Sequence, residues 1–222
     1  DYAIVSKIES IDTAAAYGES EITIGNEASC AKFEVDTKIS AIIKGNEQDK
    51  CDEVMDARLS QSQRNLRRKE IRVLYFHDND ENTENRLRWA LQKKSLGIVK
   101  EIGLSVYELS EIKNEWIDYI DTIQIPMSLY DRRAENHPLL KVLVEKEVKI
   151  RARSIFMQGL ILEKHNKWPS YMSKELKGVH KVVSKEAEMQ NRSMLKLAVD
   201  YIKELGIVYE MLVGITSEKE LK

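Results

Sequence analysis

Seven short runs rich in apolar and β-branched residues recur along this 222-residue chain, and few of them alternate cleanly. They are Ile8–Ala14, Phe33–Ile39, Ile71–His77, Glu101–Tyr107, Thr122–Met127, Lys149–Phe156 and Ile207–Gly214. A strand with one wet face alternates apolar with polar. A run that stays apolar is buried on both faces, as in a parallel sheet covered by helices. Helix-favouring stretches separate the runs. Asp52–Arg68 is polar, with Val54, Met55, Leu59 and Leu66 as its apolar members, and Glu84–Val99 places Leu87, Ala90, Leu91 and Ile98 at spacings of 3, 4 and 7. Ser173–Gln190 and Arg192–Leu205 also read as helices. This alternation predicts an α/β fold with a parallel sheet, formed as one domain over residues 1–222.

Two architectures satisfy that pattern. A doubly wound nucleotide fold calls for Gly-x-Gly-x-x-Gly or a phosphate-binding Gly-x-x-x-x-Gly-Lys-[Ser/Thr] loop, and the nine glycines form neither. The (β/α)8 TIM barrel remains. Its chemistry sits at the carboxyl ends of the strands. The first run ends in Asp12-Thr13-Ala14, the second in Asp36-Thr37-Lys38 and the third in Phe76-His77, with Tyr17 five residues beyond Asp12. A phenol has a pKa of about 10 and exchanges its proton poorly at neutral pH. A neighbouring ammonium is expected to lower that value, a carboxylate to hold the ammonium, and an imidazole to hydrogen-bond a carbonyl. Asp12, Tyr17, Lys38 and His77 would then protonate a carbonyl oxygen as charge develops on it. No side chain here gives a hydride, so a nicotinamide cofactor is implied.

The first of these segments, Asp12-Thr13-Ala14-Ala15-Ala16-Tyr17-Gly18-Glu19-Ser20-Glu21, resembles the Asp-Thr-Ala-x-x-Tyr-Gly-x-Ser-Glu signature of the aldo-keto reductases. Further likenesses follow in order: Thr37-Lys38, Leu74-Tyr75-Phe76-His77, Gly97–Ser105, Ile123-Gln124, Ser154–Gly159 and Leu212–Ser217. The resemblance implies NADPH, or alternatively NADH, as cofactor and a small-molecule carbonyl compound as substrate. Tyr17 would be the general acid, Lys38 its partner, Asp12 the residue holding Lys38, and His77 the group orienting the carbonyl. Ser105 and Gln124 would hold the nicotinamide carboxamide. Ser154, Phe156 and Gly159 would lie along the pyrophosphate, and Gly214, Thr216 and Ser217 near the adenosine end.

The chain departs from that pattern in places. Val106 stands where the family has Asn, and Arg153 where it often has an aromatic; the flat guanidinium is expected to stack on the nicotinamide instead. Glu220 falls where a basic residue would meet a 2′-phosphate, with Lys219 and Lys222 as substitutes. Asp1-Tyr2-Ala3-Ile4 resembles the loop after the family's first strand, so that strand, its helix and the C-terminal helix are expected to lie outside the sequence given. Two other functions compete: a cofactor-binding barrel with little catalysis, as the resemblance to potassium-channel β subunits implies, and an unrelated barrel using Lys38 as a Schiff-base amine.

Other partners are disfavoured. Lys+Arg total 35 against 37 Asp+Glu, a net charge of −2, which leaves no electrostatic footprint for nucleic acid. No apolar run reaches the roughly 18 residues of a membrane helix. Cys30 and Cys51 form no Cys-x-x-Cys pair and no metal cluster. Reduced thiols and a cytoplasmic location are the expectation.

Overall fold

The computed structural model describes residues 8–43 and 50–221. The Asp1–Ile4 segment and Lys222 fall outside those residues. All seven apolar runs form strands: β1 (Ser10–Asp12), β2 (Glu34–Ile39), β3 (Ile71–Phe76), β4 (Val99–Ser105), β5 (Thr122–Pro126), β6 (Lys149–Arg153) and β7 (Val208–Met211). They make one sheet in chain order, and every neighbouring pair is parallel. The runs overshoot the strands. Ile8–Ala14 contributes only Ser10–Asp12, while Met127, Ile155 and Phe156 stay apolar beyond the ends of their strands, in the loops at the rim.

Seven helices complete the chain: α1 (Ser20–Asn26), α2 (Cys51–Leu66), α3 (Thr83–Ser95), α4 (Pro138–Glu145), α5 (Lys174–Met189), α6 (Met194–Glu204) and α7 (Glu218–Leu221), counted among the described residues. Local chemistry starts several of them. Ser173 and Ser193 cap α5 and α6 by accepting the N–H groups of Leu176 and Lys196. Pro138 opens α4, its fixed φ suited to a first helical turn. α1 and α4 are not anticipated from the sequence. α1 is only 7 residues long, and in α4 Leu139, Leu140 and Leu143 give one short apolar stripe.

The core forms where helices cover the sheet. Val35, Ile39, Leu74, Phe76, Ile102 and Leu104 pack with Met55 and Leu59 of α2 and Leu87 and Trp89 of α3. Each such side chain contributes about 1.5–3 kcal/mol of burial free energy. Trp89, Trp116 and Trp168 are all buried, as packing residues should be. Cys30 and Cys51 are free thiols of intermediate exposure rather than fully buried.

A flat sheet of seven strands would hold β1 and β7 about 29 Å apart, six spacings of roughly 4.8 Å. Instead Ser10 Oγ donates to Glu210 Oε1 at 2.9 Å, directly joining the two edge strands. The sheet therefore curls into a barrel-like wall. A network of charges follows the curl. Arg72 of β3 bonds Asp36 of β2 in bidentate fashion at 2.7 and 2.6 Å and Glu210 of β7 at 3.0 Å. Arg151 of β6 reaches Glu210 at 2.7 Å and Glu101 of β4 at 2.9 Å. Burial pushes the Asp36 carboxyl up to about 6 against the pull of Arg72. Arg72, the last charge of the basic run Arg64, Arg67, Arg68, Lys69 and Arg72, belongs to this network. The rest of that run, Arg64, Arg67, Arg68 and Lys69, lies at the solvated end of α2.

Candidate functional site

The parallel register brings the predicted residues together. Asp12 pairs with Asp36 across β1 and β2, Lys38 with Tyr75 across β2 and β3, and Ser105 with Gln124 across β4 and β5. Asp12, Lys38, Tyr75 and Ser105 lie at or next to the carboxyl ends of their strands, and Gln124 at the middle of β5. Lys38 is 1% exposed, and its ammonium donates to Asp12 Oδ2 at 2.5 Å and to the Thr13 carbonyl at 2.9 Å. The same nitrogen stands 5.4 Å from the centroid of the Tyr17 ring and 5.7 Å from that of Tyr75. The Tyr75 ring lies against Gly103, where a Cβ would come within 2.5 Å of it, so a glycine is needed there. The imidazole of His77 meets the edge of Tyr17 at 5.7 Å between centroids.

The signature segment holds Tyr17 through residues that carry no chemistry of their own. The hydroxyls of Thr13 and Ser20 lie 2.8 Å apart, closing the turn that contains Tyr17 and Gly18, and Gly18 takes φ +58°. Glu21 is buried. It accepts from Thr37 Oγ1 at 2.6 Å and from Asn65 Nδ2 at 3.1 Å, clamping α1 to β2 and α2. On the other side His77 N–H donates to the Ile39 carbonyl at 2.9 Å. The next residue, Asp78, accepts from Ser40 Oγ and from the amides of Ala41 and Ile42, tying two rim loops together.

The electrostatics differ from the sequence expectation at Tyr17. Burial and then the negative charge of Asp12 push its phenol up from the ordinary value, and Arg153 pulls the other way. Lys38, its charge paired with Asp12, does not offset that rise. Burial lowers Lys38 itself, opposed by Asp12. Burial and then Lys38 lower His77, so its imidazole is neutral at pH 7. The site thus presents a protonated phenol, a buried ammonium and a neutral imidazole. That set can hydrogen-bond a carbonyl oxygen from two sides.

The remaining predicted residues occupy neighbouring strand ends. Gln124, 1% exposed, donates from Nε2 to Asp12 Oδ1 at 2.8 Å, so both Asp12 oxygens are engaged. Arg153 donates from Nη2 to the Val106 carbonyl at 3.2 Å and stacks on Tyr107 at 4.6 Å, a partner the sequence reading misses. The loop after β6 turns sharply, with positive φ at Ser154, Met157, Gln158 and Gly159. Phe156 lies in the same turn, its carbonyl accepting from Gly159 N–H at 2.9 Å. Gly214 is exposed beyond β7. Thr216 N–H donates to the Glu220 carboxylate at 2.7 Å, and Ser217 accepts from Glu220 N–H through its carbonyl at 3.1 Å. Among the described residues no group of His, Cys, Asp or Glu could hold a metal ion, and no helix is long and apolar enough to cross a membrane.

A curled parallel α/β wall with its polar constellation at the carboxyl ends of the strands defines the class: a (β/α)8 barrel of the enzyme type. The chain belongs to the aldo/keto reductase family, whose model matches residues 1–222. Membership places it among the carbonyl oxidoreductases. The fold agrees with solved structures. An aldo-keto reductase from Bacillus halodurans, AKR11C1 in its holo form, superposes with a TM-score of 0.81 at 20% identity, covering 100% of this chain and 77% of that one. The glycerol dehydrogenase AKR11B4 from Gluconobacter oxydans gives 0.77 at 20% identity over 95% and 73% of the two chains. An aldo/keto reductase from Klebsiella pneumoniae in complex with NADP and acetate gives 0.74 at 15% identity over 99% and 75%. No curated protein matches the chain in sequence.

Proposed function

We propose that this protein reduces an aldehyde or ketone to an alcohol, or runs the reverse reaction, with Tyr17 as general acid and NADPH as cofactor. The observation that carries the reading is Lys38: an ammonium buried to 1% exposure, paired with Asp12 and set against the Tyr17 ring. A buried ion pair is costly and adds little to stability, so its place at a strand end beside a phenol favours a functional role. When bound, the nicotinamide supplies the hydride.

The chain's residues hold the proton and the carbonyl. Tyr17 keeps its proton at neutral pH, because burial and Asp12 disfavour the phenolate. His77, neutral, donates a hydrogen bond to the same oxygen and fixes the direction of the carbonyl. The Lys38 ammonium then stabilises negative charge as the proton leaves Tyr17 Oη, and Asp12 keeps that ammonium charged and in position.

The cofactor groove fits by an unpaired group. Arg153 Nε is buried with no hydrogen-bond partner among the described residues, beside the Ser154–Gly159 turn. Ser105 is 7% exposed at the end of β4, and Gln124 keeps its Oε1 as an acceptor while Nε2 serves Asp12. Ser105 and Gln124 would hold the carboxamide. Ser154, Phe156 and Gly159 would hold the middle of the dinucleotide, with the Arg153 guanidinium against the nicotinamide, and Gly214, Thr216 and Ser217 its far end. Glu220, already bonded to Thr216, sets a carboxylate where a 2′-phosphate would come, which keeps NADH as the second candidate.

Fluorescence titration with NADPH and NADH, followed by a carbonyl panel, tests the reading. Tyr17→Phe should bind cofactor like the parent chain and lose about 10²-fold or more in kcat. Full turnover in that variant refutes the acid assignment. Cofactor binding with no turnover on any carbonyl favours the alternative, a regulatory or assembly barrel.

A further inference from the structure

The strands carry arginine at Arg72, Arg151 and Arg153. Two of these are matched with carboxylates: Arg72 has Asp36 and Glu210, and Arg151 has Glu101 and Glu210. Arg153, the last residue of β6, forms no ion pair among the described residues. Its hydrogen bond goes to a neutral group, the Val106 carbonyl, at 3.2 Å. The carboxylates of the neighbourhood are already occupied. Asp131, lowered chiefly by Arg133 and more weakly by Arg153, takes the Arg133 fork at 2.8 Å on each oxygen. Asp12 takes Lys38 and Gln124. Arg153 is half-buried, so water screens its charge only in part.

That uncompensated charge falls on the site. Burial is the largest influence on Tyr17, Lys38 and His77, and the Arg153 charge reaches all three, lowering each. The flat face of the guanidinium is in use as well: its carbon stands 4.6 Å from the centroid of the Tyr107 ring. A guanidinium is drawn to the negative face of an electron-rich ring and repelled by a ring that is itself positive. A nicotinamide cofactor offers both kinds of ring. The reduced dihydronicotinamide is neutral, and the oxidised ring is a pyridinium cation. The two forms share every other group, so only the ring tells them apart.

We propose that Arg153 makes this chain a selective binder of the reduced cofactor: packed against the nicotinamide, its guanidinium admits the neutral ring and disfavours the pyridinium. The inference rests on the proposed cofactor groove and does not need Tyr17 as the acid. At equal concentrations of the two forms the groove fills with the reduced one, and the oxidised product of carbonyl reduction inhibits little. The chain as a whole does not supply this preference, because a net charge of −2 favours the less negative, oxidised form. Unit charges at stacking distance cost about fivefold in affinity in water and roughly several hundredfold at a partly buried site, so tenfold is the lower expectation.

Equilibrium binding, with no turnover, tests the proposal. NADPH is titrated by its own emission, and NADP⁺ by displacing it. The parent chain should bind NADPH at least tenfold more tightly than NADP⁺. Arg153→Met should bring the two forms within threefold, and Arg153→Lys should keep a preference of fivefold or more. Any loss shared by both forms cancels in the ratio, which separates charge from packing. If Arg153→Met does not fold by circular dichroism, Arg153→Gln is read in its place. The same ratio is read with NADH and NAD⁺ if those are the tighter pair. A parent ratio below tenfold, a ratio unchanged in Arg153→Met, or its loss in Arg153→Lys overturns the proposal and leaves the groove standing. Binding of neither form by the parent chain removes the groove and the proposal together.

Discussion

Asp12→Asn tests how the buried ion pair is balanced. The two partners are unequal: Lys38 is 1% exposed and Asp12 23%. Removing the carboxylate strands a fully buried ammonium, a loss of about 3–5 kcal/mol. For a chain of this length 1 kcal/mol moves Tm by about 2–4 °C, so the variant should melt about 10 °C lower. Lys38→Met instead leaves Asp12 partly in water, still accepting from Gln124, and should cost about 1–2 kcal/mol. The double variant removes the stranded charge and should be more stable than Asp12→Asn alone by about 2 kcal/mol. Calorimetry and urea titration of the four proteins close the cycle. The pH dependence gives a second check. Burial lowers Lys38 in the folded chain, so the unfolded state binds the extra proton between that lowered value and 10.5. Stability therefore rises with pH through that window, and the Asp12→Asn deficit shrinks there. Equal losses for the two single variants, or simple additivity in the double, would show that the pair is solvated and the reasoning wrong.

Other outcomes are equally open to measurement. Gly25→Ala should cost about 1–3 kcal/mol or prevent folding, because its Cβ would stand 2.1 Å from the Asn65 carbonyl oxygen; a Tm within 2 °C of the parent would refute that contact. Glu21→Gln should lose about 1–3 kcal/mol by setting an amide N–H against a buried donor, seen as a lower urea midpoint. His77 should titrate by NMR with a midpoint below 6.5, and a midpoint above it would contradict the burial and the repulsion by Lys38.

Much of this was legible in the sequence because a parallel sheet writes itself as short runs rich in apolar and β-branched residues. The strand ends were legible for the same reason: Asp12, Lys38 and His77 each stand where a run stops, and register then gathers them. What one chain pattern cannot show is a partner defined only in space. Arg72 reads as one more charge in a basic stretch until Asp36 and Glu210 are seen beside it. Tyr107 gives no sign that Arg153 will lie on its ring. The direction at Tyr17 runs opposite to the sequence expectation because burial and then the charge of Asp12 outweigh any help from Lys38, a balance set only in the folded geometry. Glu21 was legible only as a letter of a motif; its buried clamp on Thr37 and Asn65 supplies the physical reason for it.

The charge network along the curled wall also bears on the order of assembly. Ser10 and Glu210 are 200 residues apart in sequence, and Arg72 and Glu210 are 138 apart. Contacts so distant carry a large closure entropy and form late. Until β7 docks, Glu210 stays hydrated and Arg72 and Arg151 each lack one carboxylate partner. Glu210 therefore acts as the last fastener of the sheet. Substituting it should accelerate unfolding while leaving the refolding rate nearly unchanged, the kinetic signature of a contact made after the barrier has been crossed.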